Sequence, residues 1–245
     1  MLFQSVHYCL YPLKDLSRSF TTPHVNRLLL IVNIVVFAFF WLSDLSILPS
    51  NVSANIMLKD FVMIPDEIIA GQRVFTIFTS MFMHAGWIHL LGNMLYLYIF
   101  GGKIEETFGH FGYLAVYLSS GIVAALTHVI NVFMFSPSEL GTLVVGASGA
   151  ISGVLGAYLV LYPKSKIITL AFFGFPLILP IPAVILLGFW FVMQWFYAIF
   201  NIFSISNIPT NIAYWSHIGG FIAGVIFALT IGLKRKKARE ARSRF

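Results

Sequence analysis

A run such as "LLLIVNIVVFAFFWL" (residues 28–42) limits what this chain can fold into more than any other feature. It is uncharged, and it approaches the roughly 20 mostly apolar residues that a helix needs to cross a bilayer. Read with that ruler, the sequence has six candidate spans, near 28–48, 87–104, 111–133, 148–162, 180–201 and 213–233. The expected fold is all-α: a polytopic membrane protein built as a six-helix bundle. Composition agrees, because a chain with 59% hydrophobic and 10% charged residues cannot clothe an ordinary water-soluble surface. The first span lies too far in, and lacks the small-residue cleavage site, to be a removed signal peptide.

Basic residues set the orientation, since Lys and Arg near span ends stay on the cytoplasmic side. With the N-terminus inside, Lys14, Arg18, Arg27, Lys103, Lys164, Lys166 and every basic residue of the tail "KRKKAREARSRF" lie inside. Only Lys59 and Arg73 remain outside. Both termini are therefore expected in the cytoplasm. The excess positive charge is spread over inside loops and one tail without interleaved aromatics, so it speaks for topology and not for nucleic acid. The lone Cys9 allows no internal disulfide and no cysteine-based metal site.

The expected domain plan is a cytoplasmic lead (1–27), a membrane domain (28–233) with a long outer loop (49–83), and a basic cytoplasmic tail (234–245). Stretches of the outer loop such as "RVFTIFTSMFMH" are semi-apolar, which suggests segments lying at the membrane surface. The stretch "IITLAFFGFPLILPIP" is apolar but carries Pro176, Pro180 and Pro182. A continuous helix there would break, so the fifth span is expected to begin near Pro180.

Strongly polar side chains inside a membrane are costly and carry a functional expectation. Four stand out: Ser148, His217, His89 and Asn93. They fall in the second, fourth and sixth spans, all descending from the outer face, at similar depths of roughly 5 to 12 Å by helical rise. Glycine lets helices approach closely in lipid. The fourth span offers Gly149, Gly153 and Gly156, and the sixth offers Gly220 and Gly224 at i+3 and i+7 from His217. Those stripes would set Ser148 beside His217, and an imidazole that takes its proton is the usual way to activate a serine. All nine acids fall in or near loops and ends, so the arrangement is a dyad without a third, acidic member. His89 and Asn93, at i and i+4, share one helix face. Together with the Ser148 amide at a helix start they could donate hydrogen bonds to an oxyanion.

At these residues the sequence resembles the rhomboid family of intramembrane serine proteases. "HAGWIHLLGNM" (84–94) is similar to the family's second-span signature, "GASG" (146–149) to its nucleophile motif, and "HIGGFIAG" (217–224) to its sixth-span pattern. The likeness covers about residues 28–233. It implies a six-helix core that cleaves transmembrane protein substrates in the lipid membrane with a Ser–His dyad and no metal or organic cofactor. By the resemblance Ser148 is the nucleophile, His217 the general base, and His89, Asn93 and the Ser148 amide the oxyanion hole, while His84 buttresses the outer loop. Two positions depart from the pattern. Ser152 stands where members often have an aromatic residue stacked on the catalytic imidazole, which leaves the support of His217 open. Gln72–Arg73 replaces a Trp–Arg pair.

Other readings attach to the same residues. His84 and His89 are five apart with no intervening glutamate, which does not suit a helical zinc site. His128 is read as structural, and Trp190 and Trp195 as lipid-facing bulk. A non-catalytic binder of membrane proteins, or a small-solute or proton transporter using His89, Asn93 and His217, are the alternatives. The basic tail and short lead suit a bacterial inner membrane.

Overall fold

The computed structural model describes residues 10–17, 20–44, 60–172, 175–202 and 212–242. Cys9, Arg18, Lys59, the first part of the expected outer loop and the end of the tail lie outside them. In chain order the elements are β1 (Leu10–Asp15), α1 (His24–Asp44), the short helices α2 (Pro65–Ile69) and α3 (Thr76–Thr79), α4 (Trp87–Phe108), α5 (His110–Phe135), α6 (Ser148–Leu161), β2 (Lys166–Phe172), β3 (Pro176–Pro182), α7 (Ala183–Ile202), α8 (Tyr214–Phe227) and α9 (Leu233–Arg242).

Each expected span corresponds to a helix, and the short helices bring the number above six. Four helical stretches are long and apolar enough to cross a membrane: His24–Ser43, His110–Phe135, Ala183–Ile202 and Tyr214–Ala241. The last is α8 continued through a π-helical turn, Ala228–Gly232, into α9, so the basic tail prolongs the sixth span as helix. α4 has the length, 22 residues, but ends in Lys103, Glu105 and Glu106. α6 has only 14 residues, about 21 Å at helical rise against a hydrocarbon core of about 30 Å. A helix this short falls short of a full crossing, and Ser148 is its first residue.

α6 is the centre of the bundle. Eleven of its residues are buried, with Ile151, Leu155, Tyr158 and Leu161 packed into one core with Leu97, Phe100, Ile104 and Phe108 of α4 and Tyr113 and Tyr117 of α5. Phe100 meets Tyr158 edge to face at 5.0 Å between centroids. The outward faces of α1, α5 and α7 expose Leu28, Ile31, Phe133, Ile185 and Phe189, as expected where the solvent is lipid.

The contact between α6 and α8 is backbone on backbone. A methyl group added at Gly220 would overlap the carbonyl oxygen of Gly149, one at Gly224 that of Gly153, and one at Gly156 that of Phe221. Only hydrogen at these positions permits the approach, which fixes the register of the two helices.

The fold is an all-α polytopic membrane bundle, to which one small sheet is added. β1, β2 and β3 form an antiparallel sheet in that order. The stretch expected to break the start of the fifth span is a strand, and α7 begins at Ala183. The prolines fit because β3 is an edge strand, where missing amide donors face no partner. β2 alternates, with Ile167, Thr169 and Ala171 buried, so the sheet lays one face on the bundle. β1 thereby joins the expected lead to the membrane domain.

The sheet lies at the same end as the bases. Glu105 accepts the amides of Val25 and Asn26 at 2.9 and 2.7 Å, capping the start of α1. Glu106 pairs with Lys103 at 3.2 Å and with Arg239 of α9. At the opposite end, the described part of the expected outer loop packs against α5. Met63 pairs with Val144 in a β-bridge, and Met63, Ile77 and Met81 bury themselves with Ala125 and Val129.

Candidate active site

The site is assembled at the end away from the bases, and it begins with glycine. Gly146 has φ +124°, a conformation that side chains rarely adopt, and its amide donates to the Ser80 carbonyl of the outer loop at 2.9 Å. That bond ties the loop to the turn that delivers Ser148. A Cβ at Gly146 would lie 2.7 Å from His89 Nε2 and 3.7 Å from Asn93 Nδ2. The bare glycine therefore makes room for both side chains directly in front of the start of α6.

Ser148 Oγ lies 2.9 Å from His217 Nε2. The hydroxyl comes from α6 and the imidazole from α8, and the glycine contact beneath them sets the distance. Gly149 faces Ser216 Oγ and Ala124, Gly156 faces Phe221, and Gly220 and Gly224 face the backbone of α6. Ser148 is partly exposed, whereas His217 is only 4% exposed. The other ring nitrogen, Nδ1, lies 2.9 Å from Gln194 Oε1 of α7. An amide oxygen only accepts, so Nδ1 carries the proton and Nε2 presents its lone pair to the serine. This is the tautomer a general base requires.

His89 and Asn93 project from one face of α4. The Nδ1 of His89 and both side-chain heteroatoms of Asn93 are buried without a hydrogen-bond partner among the described residues. Buried amides are normally paired, and unpaired donors beside a helix start suit a developing oxyanion. The Ser148 amide belongs to the first turn of α6, which leaves its donors without intrahelical acceptors. His84 stands behind this group, its ring edge-on to His89 at 5.2 Å. Burial, and next the neighbouring His89, lower the His84 pKa from 6.5 to about 3, so it is neutral.

The two departures in sequence have structural outcomes. Ser152 turns its hydroxyl back to the Ser148 carbonyl at 2.7 Å. The aromatic partner of the imidazole is instead Trp190 of α7, at 5.9 Å between centroids. Reading Trp190 as lipid-facing bulk is thus corrected: it is half-buried and also meets Phe221 at 6.1 Å. Trp195 is exposed and packs edge-on with Trp215. Arg73 bonds Glu67 at 2.9 Å, anchoring itself within the outer loop without the tryptophan.

His128 is buried and, with Asn131, Glu139, Asn201 and Tyr214, lines a small polar cavity that reaches Ala213, in the turn before His217. Gln194 escaped notice in the sequence. The signal was available, because a lone amide in the apolar helix "AVILLGFWFVMQWFYAIFNI" carries the same cost that drew attention to Asn93.

Comparison with known proteins gives this geometry a context. The Rhomboid domain family matches residues 71–234. Rhomboid protease GluP of Bacillus subtilis (strain 168) is 32% identical over 173 residues, 71% of this chain and 29% of that protein. RHOMBOID-like protein 12, mitochondrial, of Arabidopsis thaliana is 30% identical over 181 residues, 69% of this chain and 50% of the relative. Rhomboid protein 1, mitochondrial, of Saccharomyces cerevisiae is 26% identical over 185 residues, covering 76% and 49%. The chain thus spans half or less of the length of these curated relatives.

Proposed function

Since the chain belongs to the rhomboid family and is an integral, multi-pass membrane protein, we propose that it is an intramembrane serine endopeptidase acting on transmembrane segments of other proteins. The observation that carries the reading is the 2.9 Å approach of Ser148 Oγ to His217 Nε2.

In the proposed reaction Ser148 Oγ attacks the scissile carbonyl carbon as His217 Nε2 takes its proton. The negative charge that forms on the carbonyl oxygen meets the donors of His89, Asn93 and the Ser148 amide. The C–N bond then breaks, with His217 returning the proton to the leaving amine. Water, deprotonated by the same imidazole, hydrolyses the acyl-serine ester and restores the hydroxyl. The short α6 supports access of water from the outer side, and the polar cavity beside Ala213 supports it further, since polar groups are tolerated at membrane depth where they line water or protein.

Helices hide their peptide bonds, so preferred substrates unwind readily near the cut, where Gly, Pro or polar residues weaken the helix. The proposed orientation puts the site toward the outer face and the basic ends in the cytoplasm. The proposed membrane is a bacterial inner membrane, a reading supported by the basic α9; relatives also include mitochondrial proteins.

The test is cleavage of a purified reporter carrying one transmembrane segment, in proteoliposomes. The wild-type protein cuts it, and Ser148→Ala and His217→Ala do not. If both variants cut like wild type, the dyad is misassigned. If the wild type retains the reporter without cutting it, the chain is a non-catalytic binder.

A further inference from the structure

His217 has partners on both sides of its ring, and the proposed reaction uses only one. Gln194 is 7% exposed and donates nothing to the ring; its Oε1 accepts from Nδ1 at 2.9 Å. Trp190, one helical turn earlier, covers the same imidazole, its plane inclined 39° to the ring. Residues i and i+4 share a helix face, so α7 presents an acceptor and a hydrophobic wall to His217 together. Below them Phe191 stacks on Phe221 of α8 at 4.2 Å and 15°, which locks the two helices at this level. Ser152 is committed to its own helix and leaves this task to α7.

We propose that Gln194 is a positioning residue for His217, holding the imidazole in the tautomer and orientation that keep Nε2 aimed at Ser148, with Trp190 as its wall. This rests on the peptidase reading for its consequence in catalysis. A free imidazole exchanges its proton between Nδ1 and Nε2 and rotates about its side-chain bonds. In a serine–histidine–acid triad the carboxylate prevents both and stabilises the imidazolium. A buried carboxylate at membrane depth is expensive. A neutral amide supplies the same acceptor without a charge, fixing geometry while adding less stabilisation to the protonated ring. Neither ring nitrogen bonds an acid. Titratable groups that act on the ring include His89 of α4 and His128 of α5, and among the described residues Ser148 of α6 and Gln194 and Trp190 of α7 meet it.

The experiment compares wild type with Gln194→Met, which keeps bulk and removes the acceptor, and Gln194→Glu, which keeps shape and adds a charge. Histidine 15N shifts of the detergent-solubilised protein, with the His217 signals assigned by their loss in His217→Ala, read the tautomer without reference to activity. Wild type should show Nδ1 protonated and Nε2 bare at neutral pH, and Gln194→Met should show a mixture. In the cleavage assay Gln194→Met should lose about 10- to 100-fold in kcat, the usual effect of a lost hydrogen bond to a group that becomes charged, with KM within about twofold. Gln194→Glu should move the acidic limb of the pH–rate profile upward by about one unit, because a carboxylate beside the ring favours the imidazolium.

Unchanged 15N signals in Gln194→Met, or an unmoved acidic limb in Gln194→Glu, would overturn the proposal, as would a defect confined to KM. A wild-type protein that never cuts but shows the fixed tautomer sinks the peptidase reading alone. Should Gln194→Met fail to fold, the near-isosteric Gln194→Glu carries the test by its pH–rate profile.

Discussion

Gly156→Ala separates the geometry of the dyad from its chemistry. Gly156 lies eight positions along α6 from Ser148, about 12 Å at helical rise, and touches no group that would react. A Cβ there would meet the carbonyl carbon of Phe221 at 3.0 Å and its Cα at 3.2 Å, with the carbonyl oxygen closer still. These are backbone atoms of α8 and cannot rotate aside, so the helices must part by about 1 Å in a tightly packed interior. If the whole of that displacement reaches the site, the 2.9 Å Ser148–His217 contact opens to about 3.9 Å, outside hydrogen-bond range. If half of it does, the contact sits near the limit. Misplacement on this scale costs about 100-fold in rate, and the overpacking destabilises by about 1–3 kcal/mol. Initial rates on the transmembrane reporter in proteoliposomes, normalised to folded protein, give the first number, and thermal unfolding in detergent gives the second. Gly188→Ala on α7, whose added Cβ meets nothing within 4 Å, is the control and should cut normally. A Gly156→Ala protein that cuts at the wild-type rate would refute the claim that the glycine contact sets the dyad distance.

Other perturbations have distinct signatures. Asn93→Ala should lower kcat by about 100- to 1,000-fold with KM little changed, as expected for loss of one oxyanion donor; a change confined to KM would assign Asn93 to binding. Glu106→Gln leaves Lys103 and Arg239 facing a neutral amide at the basic end. Because Arg239 keeps 37% of its side-chain surface exposed, the loss should be on the order of 2 kcal/mol, less than for a fully buried pair, seen as a lower unfolding temperature with the rate per folded molecule unchanged. His84 has a folded pKa lowered from 6.5 to about 3, so the unfolded chain binds the extra proton between those values and stability falls as pH drops through 6.5 toward 3. His84→Gln should flatten that slope in unfolding scans taken across the interval.

The membrane bundle was legible because lipid imposes a length on apolar runs, and the helices α1, α4, α5, α6 and α7 start and end within a few residues of the expected spans. The candidate site was legible for a related reason. Polar groups are so scarce in such runs that Ser148, His217, His89 and Asn93 identify themselves, and glycine spacing says which helices meet. The sheet was not legible, since a short run such as "KIITLAF" fits a strand or a buried helix equally well by pattern alone. Its prolines announced a break and not a strand. Gln194 stands out as a lone amide in an apolar helix, but its partner was not legible, because that depends on α7 lying against α8 and no spacing within either segment reveals the neighbour. Ser152 shows the converse. Its position left the support of His217 open, and the ring's neighbours on that side are Trp190 and Gln194 of α7.

The central claim is that the Ser148 hydroxyl is activated by the His217 imidazole. Intact-protein and peptide mass spectrometry after treatment with a fluorophosphonate measures this directly. One adduct per chain on Ser148, formed by the wild type and absent from His217→Ala, is the predicted result. An unmodified Ser148 in folded wild-type protein, or an adduct forming equally fast without His217, would contradict it.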